Sequence, residues 1–364
     1  MMVRNTSQPR AGDYLRDRNG ERAGICQKKM ALSRGISSDE PLPFLLVARA
    51  RLRYKQHIPA SFALSQDLPM KHFLLACLCA TVCLSPARGQ SSEQKQQTVL
   101  ALQGLQAKDG GFLPVFAPGS KPAPKSSLRA TTSALRALKY MGGEPKDKEA
   151  CLVFVERCFD KESGGFADHP DGKPDVTTTA IGIMAVVELK MPVNAYRKPV
   201  VKYLTDHVKT FDDMRIAAAG LEAVKERPPE ADAWLEQIAR MRKEDGTYGK
   251  GDGVTRATGG AVAAVLRLGG EVPHRDNVIR ALKSGQRSDG GFGQEGKMSS
   301  DLESSYRITR CFVMLKEKPD VERLLAFVAS CRNSDGGYGV GPGQPSTVGA
   351  TYYAAIIQHW LAEK

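Results

Sequence analysis

The sequence lacks the short motifs that usually mark an enzyme. It has no G-x-S-x-G elbow, no P-loop and no H-E-x-x-H pair, so the nucleophile-elbow, phosphate-cradle and helical zinc-protease chemistries have no carrier. No two cysteines stand at C-x-x-C spacing, which removes zinc ribbons and thioredoxin-type redox pairs. Beyond residue 90 only four histidines remain, His169, His207, His274 and His359. His169 lies near Asp171 and Asp175, a grouping read as a solvated turn rather than a metal cluster. The apolar run Phe73–Leu84 is 12 residues long, short of the roughly 20 that a membrane-spanning helix needs. Of the net charge of +12, residues 1–89 carry +8, so the remaining chain is only mildly basic and no nucleic-acid partner is expected. Strand-like alternation is essentially absent.

What the N-terminal part does contain has an order. Met70, Lys71 and His72 precede the apolar run, and Ser85-Pro86-Ala87-Arg88-Gly89-Gln90 follows it with small residues suited to cleavage. That is the layout of a secretory signal peptide. It predicts a protein exported to the periplasm or medium, with residues 70–89 removed and no transmembrane span in the mature chain. Residues 1–69 lack hydrophobic periodicity and are expected to be an upstream over-extension or disordered. Residues 90–364 then form the working domain. Its cysteines are Cys151, Cys158, Cys311 and Cys331. The first two are seven residues apart on one expected helix, about 10 Å along its axis, too far to bridge. Four buried thiols are expected.

The domain is a repeat. Asp109-Gly110-Gly111-Phe112 recurs as Ser163-Gly164-Gly165-Phe166, Asp245-Gly246-Thr247-Tyr248, Asp289-Gly290-Gly291-Phe292 and Asp335-Gly336-Gly337-Tyr338. The aromatics are spaced by 54, 82, 44 and 46 residues. The double-length gap predicts a sixth unit with a decayed turn at Thr210-Phe211-Asp212-Asp213. Each unit reads as an amphipathic helix, a glycine turn seated by its aromatic, and a second helix. Val321, Leu324, Leu325 and Val328 show the helical period in one first helix. Second helices such as Ala180–Val187 and Gly259–Leu266 are apolar nearly all round, as expected of helices buried on both sides. An all-α fold of six helix pairs in two concentric layers follows. Such pairs stack either as an open solenoid or as a closed ring.

Gln106-Ala-Lys-Asp-Gly110-Gly-Phe112 and Gln286-Arg-Ser-Asp-Gly290-Gly-Phe292 resemble the Q-x3-G-x-W repeat of triterpene (squalene) cyclases, with Phe for Trp. Gly164–Asp175, running into Thr179 and Gly182, resembles a repeat of the protein prenyltransferase β subunits, most of all that of the Rab geranylgeranyltransferase. The resemblance covers residues 92–364 and implies a closed (α/α)6 toroid. It also implies where chemistry would sit. With the acidic residue at each second-helix start as position zero, the six starts are Ser127, Asp175, Asp213, Val254, Asp301 and Ser346.

The family's zinc ligands would fall on Asp301, two residues later on Glu303 instead of Cys, and on Gly349 or Ala350 instead of His. Only Asp301 matches, so zinc is not expected as a cofactor, and Asp301 is equally a helix cap. The cyclases' D-x-D-D acid motif would fall on Thr210–Asp213, which begins with Thr. The thioester GCGEQ of complement-like toroids is missing. At position +2, where the family's Cys faces the cavity, stand Arg129, Thr177, Arg215, Arg256, Glu303 and Val348, with Arg307 and Arg310 deeper on the fifth helix. Arg129, Arg215, Arg256, Glu303 and Arg307 are the expected ligand-binding set, taking an anionic or isoprenoid-type ligand or a peptide partner. The alternatives are an active prenyltransferase or terpene-processing enzyme, and a carbohydrate-acting (α/α)6 enzyme using Glu303 and Asp213.

Overall fold

The computed structural model describes residues 89–116 and 124–362. The signal-peptide and N-terminal expectations, on residues 1–69 and 70–89, lie outside the described residues apart from Gly89. Among the described residues twelve α-helices alternate between two layers. The outer helices are α1 (Ser92–Gln103), α3 (Lys148–Arg157), α5 (Val193–His207), α7 (Ala231–Arg240), α9 (Arg275–Ser284) and α11 (Val321–Ser330). The inner ones are α2 (Leu128–Met141), α4 (Val176–Glu188), α6 (Phe211–Ala223), α8 (Val254–Arg267), α10 (Leu302–Met314) and α12 (Val348–Ala362). Each inner helix packs on the next, and α12 packs back on α2. The ring closes, so the chain is a toroid rather than an open solenoid. A two-residue ribbon, β1 (Tyr338–Gly339) antiparallel to β2 (Ser346–Thr347), is the only sheet among the described residues.

The glycine turns explain the regularity. Gly290 has φ +89°, and a Cβ there would lie 2.1 Å from the Arg323 carbonyl oxygen on the next outer helix. A Cβ on Gly291 would lie 2.7 Å from the Phe327 ring. The first glycine thus allows the reversal, and the second lets the following outer helix approach. The preceding Asp289 accepts from the Gly291 N–H at 3.0 Å and from the Ser300 hydroxyl at 2.7 Å. Gln286 staples the turn to the neighbouring pair, donating to the Asp320 carbonyl at 2.9 Å and accepting from the Asp320 N–H at 2.9 Å. The turn aromatics Phe112, Phe166, Tyr248, Phe292 and Tyr338 are all buried.

Each of these aromatics donates its backbone N–H to a hydroxyl one turn into the inner helix: Thr131, Thr179, Thr258, Ser305 and Thr351. This bond fixes the register in five units, and two of the expected helix starts are corrected, one by this bond and one by a cap. In the last unit Thr347, not Ser346, is position zero, because its hydroxyl accepts from the Ala350 N–H at 3.1 Å. Ser346 instead bonds Asp335 at 2.8 Å, as Ser300 bonds Asp289. In the third unit Thr210–Asp213 is no decayed turn but the first turn of α6. Thr210 is the cap, and its hydroxyl accepts from the Asp213 N–H at 3.2 Å. Asp213 closes the capping box, accepting from the Thr210 N–H at 2.9 Å. Burial raises the Asp213 pKa, but hydrogen bonds from Thr210 and Lys209 outweigh it and hold the carboxyl below its usual range. Cys151, Cys158, Cys311 and Cys331 are buried free thiols, each pushed up to about 12, chiefly by burial.

Candidate functional site

The inner helices enclose a cavity of about 1070 Å³, slightly above the range of roughly 300–1000 Å³ usual for small-molecule sites. Counted from position zero, most of its lining falls at +2, +5 or +6, +9 and +13 of the inner helices, which is one helical face. The wall has two halves. On α4, α6 and α8 its middle is apolar and small, with Ile181, Met184, Ile216, Ala219 and Ala263, and Gly259 and Gly260 leaving space, while Asp212 and Arg215 stand at one end and Glu188, Glu222 and Arg267 at the other. On α2, α10 and α12 it is cationic and aromatic: Arg136, Tyr306, Arg307, Arg310, Tyr352 and Tyr353.

The expected ligand set divides between the cavity and its rim. Arg129 lines the cavity at +2, while Arg215, at +5 once Thr210 is position zero, and Arg307, at +6, line it one turn deeper. Arg256 and Glu303 are not part of its wall. Arg256 reaches sideways to Glu303 at 3.3 Å and to the Ser304 hydroxyl at 3.1 Å, while Arg307 also pairs with Glu303. Arg129 is half-exposed between Asp168 at 3.5 Å and Asp175 at 3.4 Å. Arg215 is mostly buried and pairs with the exposed Asp212 at 3.3 Å. Burial and the nearby Arg307 hold its guanidinium below the usual value. An anion placed there would relieve that repulsion.

The zinc positions can be tested against the same geometry. Asp301 caps α10, accepting from the Ser304 N–H at 2.7 Å and its hydroxyl at 2.9 Å. Glu303 is held by two guanidinium groups, and the third position, Gly349 or Ala350, offers no side-chain ligand. These residues do not fit a zinc ion, which would have to displace two cations and would find neither thiolate nor imidazole. Asp213 and Glu303, the carboxylates of the carbohydrate reading, do not line the cavity. His169 lines it, its Nδ1 bonded to the Ser126 carbonyl at 2.8 Å.

The family model of the prenyltransferase alpha-alpha toroid domain matches residues 51–212 and 214–362. The chain belongs to the prenyltransferase α–α toroid family. Solved toroids of similar fold include the protein geranylgeranyltransferase-I of Candida albicans complexed with GGPP. It is 14% identical, with a TM-score of 0.52, over 63% of this chain and 82% of that one. The type II terpene cyclase MstE from Scytonema is 9% identical, with a TM-score of 0.51, over 74% of this chain and 97% of that one. A protein from Actinoplanes is 13% identical, with a TM-score of 0.51, over 74% and 98%. At these identities the likeness is one of fold. No curated protein matches the sequence. Within the toroid family fold, the deeper wall holds residues that sequence reading did not single out. Arg136 and Arg267 stand at +9 and +13 inside helices whose apolar residues dominate, and Tyr306, Tyr352 and Tyr353 read there as core. The signal was the period itself, since +2, +6, +9 and +13 share a face once a cap is fixed.

Arg136 lies within 3.4 Å of Glu188 and 5.0 Å from the centre of the Tyr352 ring. Arg267 donates to Glu222 at 2.9 Å. Tyr352 donates to the Tyr306 hydroxyl at 3.2 Å. Burial alone would raise the Tyr306 phenol, but Arg310, Arg136 and Arg267 outweigh it and lower its pKa. Seven lining residues are Lys or Arg and four are Asp or Glu, so the cavity carries a net positive charge. No described helix is long and apolar enough to cross a membrane.

Proposed function

We propose that the cavity binds an elongated anionic amphiphile of the isoprenoid type, and that it does so without zinc. The observation that carries this reading is the mixed wall: arginines from α2, α6 and α10 near one end and an apolar stretch on α4, α6 and α8, in a cavity large enough for a long chain. Arg129, Arg215 and Arg307 supply forked donors that suit a phosphate or carboxylate head. The apolar side chains on α4, α6 and α8 cover the body of the chain, each buried Å² contributing roughly 25 cal/mol. The geranylgeranyltransferase of similar fold was solved with GGPP, and one MstE variant with geranylgeranyl dihydroxybenzoate. Those ligands supply the chemical class to test. Export through a signal peptide starting at Met70 belongs to the same reading.

The test is thermal. Isoprenoid diphosphates should raise the melting temperature of the purified protein, more at low salt than at high salt, because head-group binding is electrostatic. Inorganic diphosphate alone should do less, lacking the apolar contact. No shift with any isoprenoid diphosphate would count against the reading.

A further inference from the structure

The deep end of the cavity is poorly suited to an apolar tail. Arg310 and Arg136 both turn toward it from position +9. The Nε of each is buried without a hydrogen-bond partner, although Arg136 is within ion-pair distance of Glu188. Glu188 is shared, since Lys139 holds its other oxygen at 2.7 Å. Arg267 is satisfied by Glu222. Arg310 has no ion pair among the described residues. Its guanidinium lies 4.4 Å from the centre of the Trp360 ring, a contact that gives its buried Nε no acceptor. Arg136 thus has part of one carboxylate and Arg310 has none, at the end where an isoprenoid tail would stop.

We propose that Arg136 and Arg310 form a second anion site, and that the ligand carries a carboxylate or phosphate at its far end as well as at its head. This inference rests on the reading of the cavity as a binding site for an elongated anion. Buried donors without acceptors are costly, and a hydrocarbon tail would complete their desolvation while giving them nothing. A carboxylate would accept from both forks. The spacing is consistent: Arg129 and Arg136 are seven residues apart on α2, about 10 Å along the axis, so one extended molecule can reach both ends. The apolar side chains Ile181, Met184, Ile216, Ala219 and Ala263 line the same cavity.

The experiment compares farnesyl diphosphate with the same chain bearing a terminal carboxylate, by calorimetry on the full chain. The carboxylate form should bind at least tenfold more tightly to the wild type. Arg310→Met, which keeps the length of the side chain, should erase that advantage while leaving farnesyl diphosphate binding within about twofold. Arg136→Gln should reduce the same advantage, which guards against one variant failing to fold. If both ligands bind wild type equally, or Arg310→Met and Arg136→Gln keep the preference, the second site is wrong and the cavity reading stands. If neither ligand binds, the cavity reading itself fails, and this inference with it.

Discussion

Arg256 on α8 and Glu303 on α10 meet across the cavity rim at 3.3 Å, with Arg307 held on the same carboxylate. Glu303 ties two neighbouring inner helices together. Both partners of the 3.3 Å pair are about 29% exposed, so the pair is screened but not free. Arg256→Ala should lower stability by about 0.5–1 kcal/mol in urea unfolding. Glu303→Gln should cost more than Arg256→Ala, because it leaves two guanidinium groups facing each other. An unchanged or raised stability in Glu303→Gln would show that the pair is not a structural tie.

The same arrangement predicts metal behaviour. Purified protein should hold no stoichiometric zinc by elemental analysis, and added zinc should not raise its melting temperature. One tightly held zinc per chain, lost in Asp301→Ala, would restore the transferase reading.

The turn glycines offer a controlled pair. Gly290→Ala combines a φ of +89° with a Cβ placed 2.1 Å from a backbone carbonyl. Gly142 has φ +81° with nothing within 4 Å of its Cβ, so Gly142→Ala meets only the backbone strain, roughly 1–2 kcal/mol. Gly290→Ala should cost clearly more in denaturant unfolding. Equal losses would show that the approach of α11 is not what fixes the turn. By the same logic Phe292→Ala should cost roughly 3–5 kcal/mol, as for other buried aromatics.

Much of the fold was legible because the turn residues have separate, strict jobs. Gly290, Gly291, Phe292 and Gln286 each answer a distinct steric or hydrogen-bonding demand, so they repeat visibly. The closed ring was not legible from that pattern alone, since an open solenoid uses the same pairs. Thr210–Asp213 misled because a capping box and a decayed turn contain the same residue types. Ser346 misled because two adjacent hydroxyls both make family-like bonds, and only the Tyr338-to-Thr351 bond separates them. Arg129 was found through the +2 position and Arg215 only through a misplaced helix start, since it stands at +5 from Thr210, whereas Arg136 was hidden in α2 among residues that face the core. Nothing in the sequence shows that Arg256 turns aside to Glu303, since that depends on the gap between α8 and α10.

Tyr306 provides a pH signature of the cavity. Its phenol pKa is lowered to about 7 by Arg310, Arg136 and Arg267 against the opposing effect of burial. Because the folded-state value lies below the free value of about 10, this contribution to stability is complete above about pH 10. It fades as pH falls through about 7. Phenolate absorbance should show one tyrosine ionising well before the others, and Tyr306→Phe should remove that step. A wild type whose tyrosines all ionise near or above the ordinary value would contradict the electrostatics described for the cavity.

The central claim is that the arginine wall binds the head of an anionic amphiphile. Calorimetric titration of geranylgeranyl diphosphate into wild type and Arg215→Ala, at low and high salt, tests it most directly. One ligand per chain is expected, tighter at low salt, with Arg215→Ala weakening binding about tenfold, or roughly 1.4 kcal/mol. Absence of binding to the wild type, or binding that neither salt nor Arg215→Ala alters, would contradict it.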